Sequence, residues 1–67
     1  MDAQADGDRV VLTLSRAQLL LLAGSVNEVI EAVEDWEFAT RLGAEKQEAR
    51  RLRAELGEVI RRLGPSS

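Results

Sequence analysis

Residues 35–54 read DWEFATRLGAEKQEARRLRA, and this stretch decides the fold of the 67-residue chain. Ala39, Gly43 and Leu52 have the spacing of a motif in which two short helices cross through a tight turn. Gly43 suits the turn because glycine readily adopts the left-handed conformation that ends many helices. The stretch therefore predicts two helices joined at Gly43.

The boundaries of these two helices follow from their flanking residues. Asp35 is expected to cap a short helix over residues 36–42, and a longer helix over residues 44–63 ends at Gly64-Pro65. Apolar residues recur along the longer helix at three- and four-residue spacing, as in helices packed lengthwise: Ala49, Leu52, Leu56, Val59, Ile60 and Leu63. No Ser or Asp precedes it as a cap, so one bent helix over both segments is the alternative.

A third helix is predicted upstream, over residues 16–33. Ser15 fits its N-cap, and Gln18 completes a capping box. Its apolar residues form one stripe: Leu19, Leu22, Ala23, Val26, Val29, Ile30 and Val33. The fold class is therefore mainly α, a three-helix unit of long, short and long helices.

The N-terminal part of the chain has a different pattern. Residues 9–14 alternate in strand-forming residue types and predict a β-strand or an extended arm. Residues 1–8 are acidic and contain little apolar surface, so we expect a disordered tail there and another over residues 64–67. A single small domain over residues 9–63 remains. Its strand has no partner within the chain, which predicts pairing with a second copy or packing on the helices.

Composition argues for self-association. A chain this short builds a thin core, and the absence of Cys and His excludes disulfides and the usual metal clamps. We therefore predict a homodimer, although another protein is a second possible partner. The predicted contacts are Val10, Leu12, Leu14, Leu20, Leu21 and Gly24. Packing of the arm over Leu20 and Leu21 within one chain is an equally weighted alternative to a two-fold helix contact.

The longer C-terminal helix also suggests a nucleic-acid contact. In the helix-turn-helix arrangement its outward side chains meet DNA, and the candidate residues are Lys46, Gln47, Arg50, Arg51 and Arg53. Residues 44–67 carry six basic and four acidic side chains, but the whole chain has a net charge of -3. Non-specific DNA affinity depends on surplus cations, so DNA binding is the second interpretation.

Other chemistry is less well supported by the sequence. The acidic residues of the central region are read as a solvated face: Glu28, Glu31, Glu34, Asp35 and Glu37. No calcium-loop spacing is present, and Ser25 has no base to activate it. We therefore expect no enzyme, no metal and no cofactor. Trp36 and Phe38 are expected to fill the gap between the two long helices, with Trp36 as a partner anchor in the alternative reading.

A short pattern within residues 14–56 suggests relatives. Asn27-Glu28-Val29 and the segment Glu37-Phe38-Ala39-Thr40-Arg41-Leu42-Gly43 resemble small uncharacterised bacterial helical proteins with a Leu-Asn-Glu-Val and then a Glu-Phe-x-Thr-Arg-x-Gly pattern. Val26 stands where that pattern has Leu, and the Ser that starts the C-terminal helix in those proteins is missing before residues 44–63. The resemblance implies a fold and no activity.

These observations lead to one expectation for function. We expect a small self-associating interaction or regulatory accessory protein, with a helix-turn-helix-like DNA-binding protein as the alternative. Arg outnumbers Lys by eight to one, which is typical of GC-rich bacterial genomes. The lack of Cys, the acidic N-terminal residues and the shortness of the apolar run at Leu19 favour a cytoplasmic protein without membrane contact.

Overall fold

The computed structural model describes residues 1–65. In that part of the chain, two strands precede three helices: β1 (Asp2–Asp6), β2 (Arg9–Thr13), α1 (Arg16–Ala32), α2 (Asp35–Leu42) and α3 (Lys46–Leu63). The mainly helical fold with an N-terminal strand and a long, short and long helix order is therefore confirmed. Ser66 and Ser67 of the predicted C-terminal tail lie outside the described residues.

The two long helices pack side by side in antiparallel directions. Arg16 at the start of α1 donates a hydrogen bond to the carbonyl of Gly64 after α3, at 3.1 Å. Near the opposite end, Arg53 of α3 donates to the side-chain oxygen of Asn27 of α1, also at 3.1 Å. The short helix α2 connects the two at that end and packs against α3.

The buried core lies at the end of the helical layer where α2 joins it. Within residues 1–65 it consists of Ile30, Val33 and Phe38, with Val26, Val29 and Ala49 packed around them. The remaining apolar residues of the α1 and α3 stripes are half-buried or exposed. The stripes are therefore placed as the sequence predicted, but one layer of helices covers them only partly.

The start of α1 confirms the predicted capping box. The Ser15 hydroxyl accepts a hydrogen bond from the backbone N–H of Gln18 at 3.0 Å, and the Gln18 side chain accepts one from the Ser15 backbone N–H at 2.9 Å. Ser15 itself has an extended backbone. This pair of bonds fixes the direction in which the chain enters the helix.

The turn after α2 decides between two helices and one bent helix. Gly43 adopts a left-handed conformation with φ of 74°, and its N–H donates to the carbonyl of Ala39 at 2.9 Å. The two helices are therefore separate, as the primary reading of the turn predicted. The predicted cap at Asp35 is wrong: Glu34 is the cap residue without a side-chain bond, and Asp35 is the first helical residue.

The N-terminal residues form a β-hairpin. β1 and β2 pair antiparallel with Asp6 opposite Arg9, so the turn is Gly7-Asp8, and Gly7 has φ of 64°. A glycine with positive φ at the first turn position suits a two-residue hairpin. The structure thus differs from the expectation of a tail over residues 1–8 and of a strand without an intrachain partner. The Gly7-Asp8 pair is typical of a hairpin turn, but the low strand propensity of residues 2–6 argued against a strand before it.

The molecule is flat and elongated, with principal extents of 40, 31 and 17 Å. Its radius of gyration is 13.5 Å, whereas a compact chain of this length has about 11 Å. The hairpin explains part of the difference because, within residues 1–65, it packs against none of the helices. The flat shape leaves large faces of the molecule open to solvent.

Candidate interaction surface

The outer face of α1, defined here by Ala17, Leu20, Leu21 and Gly24, points away from α3. Leu20 is 50% exposed and Leu21 is 72% exposed. A side chain added at Gly24 would meet open space. Residues 17–27 contain no charged side chain, so the first part of α1 is uncharged around its whole circumference. An exposed helix face without charge is typical of a contact surface.

The hairpin has one apolar face and one polar face. Directly paired residues share a side of a sheet, and the pairs Ala3 with Leu12 and Ala5 with Val10 form the apolar face of the hairpin. The opposite side carries Asp2, Gln4, Asp6, Arg9, Val11 and Thr13. All residues of both strands are exposed. A lone two-stranded hairpin is marginally stable in water, so this apolar face lacks the cover that a stable sheet requires.

The two uncovered faces do not meet within the chain. Residues 14 and 15 link β2 to α1, and within residues 1–65 neither strand of the hairpin contacts α1. The alternative in which the arm packs over Leu20 and Leu21 of its own chain is therefore wrong. Val10, Leu12, Leu20, Leu21 and Gly24 are all exposed, and Leu14 at the junction is half-buried.

The two aromatic side chains have opposite environments. Phe38 is 1% exposed and belongs to the core, whereas Trp36 is 79% exposed. The expectation that both rings fill the gap between the long helices is correct for Phe38 and wrong for Trp36. Because Trp36 and Phe38 are two positions apart on a helix, they point in different directions, and only one of them can face the core.

An ion pair joins the start of α2 to the start of α3. The Lys46 ammonium lies 2.6 Å from a carboxylate oxygen of Asp35 and 5.7 Å from the centre of the Phe38 ring. The Lys46 side chain is only 12% exposed. The hydrogen bond from Lys46 and its charge lower the pKa of Asp35 from its ordinary value, with a smaller contribution from the charge of Arg50. The pair links the first residue of α2 to the first residue of α3 across the Gly43 turn.

The predicted nucleic-acid residues divide into two groups. Lys46 is held by Asp35, and Arg53 contacts Asn27 and lies 3.8 Å from a Glu31 carboxylate oxygen. The other candidates, Gln47, Arg50 and Arg51, are exposed, and Arg50 donates to the Gln47 side chain at 3.4 Å. Contacts with the other helices thus occupy two of the four cationic candidates, Lys46 and Arg53.

The helix crossing also differs in detail from the helix-turn-helix expectation. Ala39, expected where the two helices touch, is exposed, and Phe38 is the buried residue of α2. Beside it, an apolar recess opens between the helices, lined in part by Val29, Leu42 and Leu52. Leu42 and Leu52 remain partly exposed at this recess. The crossing is therefore looser than a packed pair of helices requires.

Two further features of the described part of the chain concern ligands and membranes. Within residues 1–65, no three acidic side chains cluster closely enough to hold a metal ion. The helices in the same range are too short or too polar for any of them to cross a bilayer.

Comparison with known proteins adds no further constraint. No family model, curated protein or solved structure matches the chain. The fold and surface by themselves define a small helical protein with a projecting N-terminal β-hairpin.

Proposed function

We propose that this protein is a self-associating interaction or regulatory accessory module that acts as a homodimer and carries out no chemistry of its own. The observation that carries the proposal is the excess of exposed surface on one chain. The accessible surface is 5494 Å² for a mass of 7.4 kDa. A compact monomer of this mass exposes about 4,200 Å².

The excess is large enough to accommodate a dimer interface. The difference is roughly 1,300 Å², while a standard protein interface buries about 800 Å² on each partner. One chain also buries only about half of the surface of its extended form, compared with about 60% for a typical domain of 60 residues. A second copy would supply the missing cover, with the same residues used on both sides of a two-fold interface.

The chemistry of the exposed surface supports a protein partner. Within residues 1–65, six of the eleven exposed large apolar side chains lie on the hairpin and on α1, and they include Val10, Leu12, Leu20 and Leu21. Burying apolar surface of this kind in an interface stabilises the complex by about 25 cal/mol per Å². We place the module in the bacterial cytoplasm because a chain without Cys suits a reducing compartment.

Light scattering over a dilution series tests the proposal. We expect twice the chain mass at high concentration and a melting temperature that rises with protein concentration, because association stabilises the folded state by mass action. The paired change Leu20→Ser and Leu21→Ser is expected to abolish both effects. A folded monomer at every concentration, with an unchanged melting temperature, would refute the proposal.

DNA binding through the helix 44–63 is the second candidate. The exposed row of Gln47, Arg50 and Arg51 on α3 favours it, since these side chains are free to reach phosphates or base edges. Binding to random duplex at low salt, weakened by added salt and by changing Arg50 and Arg51 to Gln together, would support this function. Arg9→Gln together with Arg41→Gln, both exposed and outside α3, is the charge-matched control. No shift of the duplex at low salt would exclude it.

A further inference from the structure

We propose that the dimer is reciprocal: the apolar face of the hairpin of one copy packs on the outer face of α1 of the other copy. This inference rests on the proposed self-association and specifies its geometry. Each copy contributes one hairpin and one helix face, so the contact is formed twice around a two-fold axis.

The two surfaces are matched in chemistry. The apolar face of the hairpin consists of Ala3, Ala5, Val10 and Leu12, and the outer face of α1 consists of Ala17, Leu20, Leu21 and Gly24. Neither set contains a charged or hydrogen-bonding side chain. The small residues on both sides permit close approach of the two backbones, and the large ones fill the space between them.

The simpler intrachain contact is not formed within residues 1–65, where the hairpin packs against none of the helices. Extended backbone at Ser15 and its capping box with Gln18 fix the point at which the chain leaves the hairpin and enters α1. The apolar face of the hairpin is therefore open to a neighbouring molecule. Its short link to α1, residues 14 and 15, restricts how far it can swing.

Two other two-fold arrangements leave apolar surface uncovered. Edge-to-edge pairing of β2 with its copy would extend the sheet but would leave both its apolar face and Leu21 in water. Direct packing of α1 on α1 would cover Leu20 and Leu21 but not Val10 or Leu12. Packing of hairpin on helix covers both faces in one interface, which agrees with the surface excess of roughly 1,300 Å² per chain.

Site-directed crosslinking tests this geometry, and the natural chain contains no Cys to interfere. Chains with Leu12→Cys and chains with Leu21→Cys, distinguished by a size tag, are mixed and then treated with a short bismaleimide. We expect mixed crosslinked dimers to contain up to about half of the chains, the share that random exchange places in mixed pairs. Each variant alone is expected to give no crosslinked product.

Val11→Cys is the matched control because Val11 neighbours Leu12 but lies on the polar face of the hairpin. Mixed with Leu21→Cys chains, it is expected to give at least about tenfold less product, since its side chain points away from the partner helix. Equal yields from the two hairpin positions would overturn the proposed face.

The remaining outcomes separate the geometry from self-association itself. A product from Leu12→Cys alone would indicate strand pairing, and one from Leu21→Cys alone would indicate helix pairing; either overturns the reciprocal arrangement. Crosslinking within one chain that carries both Leu12→Cys and Leu21→Cys also overturns the reciprocal arrangement. A dimer mass by light scattering without mixed product rejects this geometry but leaves the proposed function intact. A monomer mass for the unmodified chain rejects both.

Discussion

Replacing Phe38 by Ala removes the largest part of a very small core. Phe38 is 1% exposed and contacts the cluster formed by Ile30 and Val33. Truncation of a buried Phe to Ala costs about 3–5 kcal/mol, while a chain of this length has a total unfolding free energy of about 3–10 kcal/mol. We therefore expect Phe38→Ala to lose a large part of its unfolding free energy at 25 °C.

Urea unfolding followed by circular dichroism at 222 nm measures this loss. With a denaturant slope near 1 kcal/mol per M, typical of small proteins, the transition midpoint should fall by about 3 M. Protein concentration must be the same for all variants, because the proposed association would contribute to apparent stability. Phe38→Leu, which keeps most of the volume, is expected to lose less than about 1.5 kcal/mol.

Trp36→Ala is the matched control on the same helix. Trp36 is 79% exposed, so its truncation should change the unfolding free energy by no more than about 0.5 kcal/mol. If Trp36→Ala lowered the midpoint as much as Phe38→Ala, or if Phe38→Ala shifted it by less than about 1 M, the assignment of the core to Phe38 would be refuted.

Three further predictions concern the helix ends and the ion pair. In urea titrations, Ser15→Ala should lower the unfolding free energy by about 1 kcal/mol, because the N-cap bond to Gln18 is lost. Ser15→Asn should keep this stability because Asn also caps helices. Equal losses in the two variants would contradict the capping role of Ser15. Gly43→Ala should destabilise the protein by about 1 kcal/mol, because the left-handed φ of 74° disfavours a side chain. Gly57→Ala should stabilise the α3 helix by up to about 1 kcal/mol, since a side chain there faces open space. Thermal melts in which both variants shifted in the same direction would contradict these predictions. Lys46 lowers the pKa of Asp35 in the folded state. Between that lowered pKa and the ordinary value of about 3.9, the unfolded state therefore binds more protons than the folded state. The pair contributes to stability above about pH 4, and this contribution is lost as the pH falls through the folded-state pKa. Acid titrations of the unfolding free energy should show this loss in the natural chain and a reduced loss in Asp35→Asn, and identical profiles would contradict it.

Local sequence signals predicted the helical part of the fold because its boundaries depend on neighbouring residues. The Ser15 and Gln18 capping box and the Gly43 turn each act within a few residues of the chain, and both are present in the structure. The hairpin was missed because its strand Asp2–Asp6 has low strand propensity. Backbone pairing with β2 across the Gly7-Asp8 turn outweighs that preference.

The candidate surface was only partly readable from sequence. Leu20, Leu21 and Gly24 lie off the apolar stripe of α1, which marked them as contact candidates but left open whether the arm of the same chain covers them. The exposure of Trp36 and the capture of Lys46 by Asp35 were not predicted. Both depend on the angle at which α2 joins α3, which no local pattern specifies.

Local sequence signals specified which segments are helical, the start of α1 at Ser15, the end of α2 at Gly43 and which helix faces are apolar, since these properties depend on propensities and contacts between near neighbours. The starts of α2 and α3 were each displaced by one or two residues from the predicted positions. The tertiary structure alone decided which apolar faces are covered. Three side chains fill the core of residues 1–65, and the hairpin projects without contact to the helices. The physical reason is that burial depends on the relative placement of whole elements, which long-range packing sets.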